Sequence, residues 1–83
     1  MEHNEQSIDS MVLKALKNKK IWKISSGVTS AGYFVIRRSE LEKQLKLSRR
    51  DIVSSLNRLE MAGEITNDGF SIDQPDDPMY YVS

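Results

Sequence analysis

The clearest pattern in the chain is near its start. Ile8, Met11, Val12, Ala15 and Leu16 recur at i, i+3, i+4, i+7 and i+8, which puts them on one stripe of an amphipathic helix. Ser7 is placed to cap its start, and Asp9 favours the first turn through the helix dipole. Lys17, Lys19 and Lys20 sit at the favourable C-terminal end, and Asn18 is a plausible stop. Residues 1–6 are polar and are expected to form a disordered tail, leaving 7–83 as a single domain.

The pattern then changes period. Ile21-Trp22-Lys23-Ile24 and Tyr33-Phe34-Val35-Ile36 are rich in β-branched and aromatic residues, and residues 25–32 between them, with two glycines, read as a loop. The second run predicts a strand. The first reads either as its hairpin partner or as an extension of the first helix. Trp22, a lone tryptophan in a small domain, reads as a core anchor rather than an exposed docking aromatic.

Two helix-start signals follow. Ser39-Glu40-Leu41-Glu42 has the form of a capping box and predicts a short helix through Lys46, with Leu41 and Leu45 facing inward. Ser48-Arg49-Arg50-Asp51 opens a second helix that buries Ile52, Leu56 and Leu59 and stops at Gly63. The two helices are separated by a turn of about two or three residues, as in helix-turn-helix units.

The remainder alternates. Glu64-Ile65-Thr66, Phe70-Ser71-Ile72 and Met79-Tyr80-Tyr81-Val82 are strand candidates, and Asn67-Asp68-Gly69 is a turn signal. Residues 73–78, with two prolines and three acids, are expected to form a loop. Tyr80 and Tyr81 fall on opposite faces of a strand, so one is expected to pack and one to be exposed.

Composition narrows the function classes. The chain has 83 residues, no cysteine and zero formal net charge. One modest core fits that length, and neither disulfides nor thiolate metal sites are available. His3 stands alone, which gives a metal no ligand set. No apolar run is long enough to span a membrane, and the start lacks the form of a secretory signal, so a cytoplasmic location is expected. No nucleophile–base pair, phosphate loop or converging carboxylates appear, so neither catalysis nor a cofactor is expected.

Charge is distributed unevenly. Residues 37–58 hold seven positive charges against three negative, whereas residues 64–83 hold five acids and no base. An anionic partner is expected to meet the middle of the chain.

The stretch from Ser39-Glu40-Leu41 through Leu47-Ser48-Arg49-Arg50-Asp51-Ile52 to Leu56-Asn57-Arg58-Leu59-Glu60-Met61-Ala62-Gly63-Glu64-Ile65 resembles the core of bacterial regulators of the multiple-antibiotic-resistance and arsenical-resistance repressor type. The close match covers about a third of the chain. The resemblance implies an α+β fold, a small winged helix with three helices, a short strand and a C-terminal β-hairpin wing. It also implies double-stranded DNA as the partner, bound by a homodimer or cooperative assembly for transcription regulation, with helix 49–62 in the major groove. Carried over by position, the groove-facing residues are Arg49, Arg50, Val53, Ser54, Asn57 and Arg58. Helical geometry alone turns Arg50, Ser54, Asn57, Arg58 and Met61 away from the inward leucines. Arg37 and Arg38 are candidates for a phosphate clamp, and Ser48 for a phosphate hydrogen bond beyond its capping role.

The chain departs from the family at three places. Val53 is apolar where these regulators are polar, Asp51 brings a negative charge to the docking surface, and the wing is acidic where phosphate contact calls for Lys or Arg. The same features fit a second reading, a winged-helix module that binds another protein through its acidic wing and exposed aromatics.

Overall fold

The apolar stripe of the first helix is buried as its spacing predicts. In the computed structural model, which describes residues 5–18, 27–28, 32 and 34–82, α1 (Glu5–Lys17) places Ile8, Val12, Ala15 and Leu16 inside and leaves Met11 half-buried. The helix begins at Glu5, so residues 5 and 6 belong to it rather than to a tail, and Ser7 lies within its first turn instead of capping it. It ends where expected, with the Asn18 amide donating to the Ala15 carbonyl at 3.0 Å.

A short strand, β1 (Gly27–Val28), lies within the stretch expected to be a loop. It pairs antiparallel with β2 (Phe34–Arg37) through Gly27↔Val35 and Val28↔Phe34. The run Ile21–Ile24, including Trp22, and Tyr33 lie outside the described residues.

β2 passes directly into α2 (Arg38–Leu45), which buries Leu41 completely. The predicted capping box is not formed. The helix starts two residues earlier than that box places it, its N-cap position is Arg37, and Ser39 falls inside the first turn. The Asp77 carboxylate, 38 residues away in sequence, takes over the capping role. It accepts the Ser39 amide at 2.9 Å and the Ser39 hydroxyl as well. A carboxylate at a helix start satisfies an orphan N–H and meets the positive end of the dipole.

Lys46 ends α2 in the left-handed region, at φ 54°. After Lys46, Leu47 and Ser48, α3 (Arg49–Met61) begins, capped by the Ser48 hydroxyl accepting the Asp51 amide at 3.2 Å. Its last turn closes with two reversed bonds, Gly63 N–H to the Glu60 carbonyl and Glu64 N–H to the Leu59 carbonyl, both 3.0 Å. That closure needs positive φ at Gly63, which has 77°.

β3 (Ile65–Ser71) and β4 (Gln74–Val82) form a hairpin turning at Ile72-Asp73. The turn expected at Asn67-Asp68-Gly69 is instead an irregularity inside β3. Asn67 Oδ1 accepts the Gly69 amide at 2.6 Å, and the register shifts there while the strand continues. The loop expected over 73–78 is the first half of β4. Between the pairs Gly69↔Met79 and Ser71↔Gln74, the single residue Phe70 stands against residues 75–78. Pro75 and Pro78 therefore sit where the ladder is interrupted and no amide hydrogen is required.

Among the described residues the four strands form one antiparallel sheet in the order β1-β2-β4-β3. Ile36, Ile65 and Tyr80 of the sheet join Leu41 of α2, Ile52, Leu56 and Leu59 of α3 and the α1 stripe in one core. Tyr80 is buried as one of the pair was expected to be, but Tyr81 is half-buried rather than exposed. The architecture is α+β. Among the described residues no helix is long and apolar enough to cross a membrane.

Leu56 has no exposed surface. Leu56→Ala is expected to lower unfolding free energy by about 2–5 kcal/mol in urea denaturation. Met61→Ala, five residues further along the same helix but 90% exposed, is expected to change it by no more than about 0.5 kcal/mol.

Candidate functional site

The inner face of α3 consists of Ile52, Ser55, Leu56 and Leu59, all buried. The opposite stripe is then fixed by helical geometry. Arg50, Ser54, Asn57 and Met61 follow at i, i+4, i+7 and i+11, and all four are exposed. Arg49 is exposed beside them and Val53 is half-buried at the edge. This stripe offers donors and acceptors on a rigid rod, with one apolar residue at its far end.

Positive charge gathers at the start of that rod. Lys43 near the end of α2, Lys46 in the turn, and Arg49 and Arg50 in the first turn of α3 are all exposed. The positive end of the α3 dipole adds to them. Ser48 is exposed, with its hydroxyl occupied as a cap. Lys43 and Lys46 belong to the basic block of the sequence but become site candidates only once the turn brings them beside Arg49 and Arg50.

Two of the arginines singled out from the sequence serve inside the fold. Arg38 is 7% exposed. It pairs with Glu42 one turn ahead, donates to the Asp76 carbonyl at 2.8 Å and stands 3.8 Å from the Asp77 carboxylate. These contacts tie the start of α2 to β4 rather than presenting a cation to solvent. Arg37 is half-buried at the N-cap position of α2, with Met79 of β4 as its cross-strand neighbour.

Arg58 departs from the expected outward orientation. Its guanidinium grips Asp9 of α1, with Nε to Oδ2 at 2.9 Å and the terminal nitrogen to Oδ1 at 2.7 Å, and its side chain is about a third exposed. The Ser55 hydroxyl donates to the same Asp9 Oδ1 at 2.7 Å. Asp9 thus does more than favour its own helix end, because it fixes the rotation of α3 against α1. The signal available in sequence was Ser55, a polar residue on a stripe otherwise made of Ile52, Leu56 and Leu59. A buried hydroxyl in that setting calls for a partner.

The acids of β4 divide by task. Asp77 caps α2, and Asp76 contributes its carbonyl to Arg38 while its side-chain end remains exposed. An open cleft of about 320 Å³ is lined by Arg38, Asp73, Gln74, Pro75, Asp76 and Asp77. Its arginine is already paired and its other charges are negative, so it does not suit an anion. Among the described residues no three His, Cys, Asp or Glu side chains come together as metal ligands. The Arg38–Asp77 contacts lie at the start of α2. The eight residues of that helix separate them from Lys46 by about 12 Å.

No known protein family, curated protein or solved structure matches this chain. The functional reading therefore rests on the geometry and chemistry of its own side chains.

The Asp9 carboxyl is held below its usual range, first by the hydrogen bonds from Arg58 and further by Ser55 and the Arg58 charge, against the opposing effect of burial. Its folded pKa lies below the unfolded value near about 4. The stabilisation is therefore complete above that value and is lost as pH falls through the folded value. Acid titration of wild type is expected to show this loss, and Asp9→Asn to have a shallower stability–pH slope below about pH 4. At neutral pH, Asp9→Ala is expected to cost about 1–2 kcal/mol, at the low end for charged hydrogen bonds because the pair is partly solvated.

Proposed function

We propose that this chain is a winged helix-turn-helix module that binds double-stranded DNA, with α3 lying in the major groove. The observation that carries the reading is the outer stripe of α3, where Arg50, Ser54 and Asn57 are exposed on one face and Lys43, Lys46 and Arg49 are exposed around its N-terminal end. Arg pairs with the acceptor edge of guanine and Asn with adenine, so Arg50 and Asn57 have the chemistry of direct base readout. Lys43, Lys46 and Arg49 would meet phosphates, supplying affinity independent of sequence. In this reading the β3–β4 hairpin is the wing, and regulation of transcription is the role.

The arginines are not equivalent in this proposal. Arg38 and Arg58 hold the scaffold, and Arg49 and Arg50 face the ligand. The acidic strand is anchored through Asp77 and the Asp76 backbone to α2, which keeps those two residues at the opposite end of α2 from the basic turn. One recognition helix covers little DNA, and affinity at physiological salt normally comes from two or more copies on adjacent half-sites.

A duplex titration followed by fluorescence anisotropy tests the reading. Binding is expected to weaken steeply as salt rises. Arg49→Ala with Arg50→Ala is expected to reduce affinity about tenfold or more while leaving the thermal unfolding transition intact. Arg38→Ala is expected to do the reverse, lowering stability far more than the DNA affinity of the folded fraction. Absence of salt-sensitive duplex binding would remove DNA as the partner.

A further inference from the structure

The β3–β4 hairpin ends in side chains that the fold does not use. Ile72 is 97% exposed at the turn and Phe70 is 61% exposed beside it. Around them are acids, Asp68 in the irregular part of β3 and Asp73 in the turn, both exposed. An apolar tip with negative flanks is unsuited to a phosphate backbone, which repels it, and equally unsuited to open water.

We propose that this tip docks on α1 of a second copy of the same chain, joining copies head to tail. Charge decides against tip-to-tip contact, because a two-fold interface would set Asp73 and Asp68 of both copies against each other. The tip requires a positive surface with apolar ground beside it. The outer stripe of α1 offers that, with Lys14 and Lys17 exposed and Met11 and Leu13 half-buried on either side. α1 packs on the inner face of α3 through the shared core and the Asp9–Arg58 pair. Its outer stripe therefore points away from Arg50, Ser54 and Asn57 and stays available when α3 is occupied. The two surfaces lie on different elements, so the contact is heterologous and each copy keeps one tip and one α1 stripe for further neighbours. The near balance of charge in the whole chain then has a use, since opposite patches on one molecule satisfy each other between molecules.

The docking rests on the DNA reading only for its consequence, cooperative filling of a long duplex. Self-association itself does not depend on it, and the experiment separates the two. Sedimentation velocity without DNA is expected to show wild-type mass rising with concentration beyond a dimer and falling back as salt is added. Ile72→Asp is expected to abolish the rise. So are Lys14→Glu with Lys17→Glu in one variant and Asp68→Lys with Asp73→Lys in another. Mixing the two charge-reversed variants is expected to restore association, because each now carries the surface the other lacks. Lys14 and Lys17 lie on α1, outside both the α3 face and the hairpin, so their double charge reversal is expected to bind a short single-site duplex about as wild type does while losing cooperativity on a long one. Wild type that stays monomeric at every concentration, or mixed variants that fail to associate while both remain folded, overturns the proposal even if short duplexes are bound. Association that persists while no duplex is bound overturns the DNA reading and leaves the docking in place.

Discussion

Everything outward-facing on α3 follows from what the helix hides. Ile52, Leu56 and Leu59 are drawn into the core shared with α1 and the sheet, and the Asp9 carboxylate then locks the rotation by gripping Ser55 and Arg58 from the side. Apolar burial supplies most of the energy but is non-directional. The ion pair adds direction, since a bidentate arginine–carboxylate contact tolerates little sliding. With both in place, Arg50, Ser54 and Asn57 have nowhere to point but solvent.

The second organising contact is the tie between α2 and β4. Arg38 and Ser39 of the helix meet the Asp76 carbonyl and the Asp77 carboxylate of the strand, so a helix start and a strand stabilise each other across 38 residues of sequence. This explains why a stretch so rich in acids and proline is ordered. It also separates the charges of the chain. Part of the acidic strand is held at one end of α2, and exposed Lys43, Lys46, Arg49 and Arg50 lie toward the other. A neutral chain can present a positive surface in this way, because field depends on where charges stand rather than on their sum.

Local signals were legible in the sequence and tertiary ones were not. The stripes of α1 and α3, the Ser48 cap and the Gly63 terminator each depend on residues within a few positions, and each appears where its pattern places it. Ser39 misled because its own hydroxyl was a sufficient cap in principle, while the actual cap, Asp77, arrives from another element. The acidic stretch misled because the rule against proline in strands concerns strands with a continuous ladder. Pro75 and Pro78 occupy a break in register that no local pattern announces. Arg58 lies at the flank of the α3 stripe, where helical geometry alone cannot choose between solvent and a neighbouring helix, and Asp9 makes the choice.

The measurement that tests the central claim most directly is an amide NMR titration of the folded protein with a short mixed-sequence duplex at low salt. The expected result is a contiguous set of shifts over residues 46–57, strongest at Arg49, Arg50, Ser54 and Asn57, with the α1 stripe unchanged. Shifts confined to the β3–β4 hairpin, or a spectrum that the duplex leaves untouched, would contradict the claim that the outer face of α3 is the site.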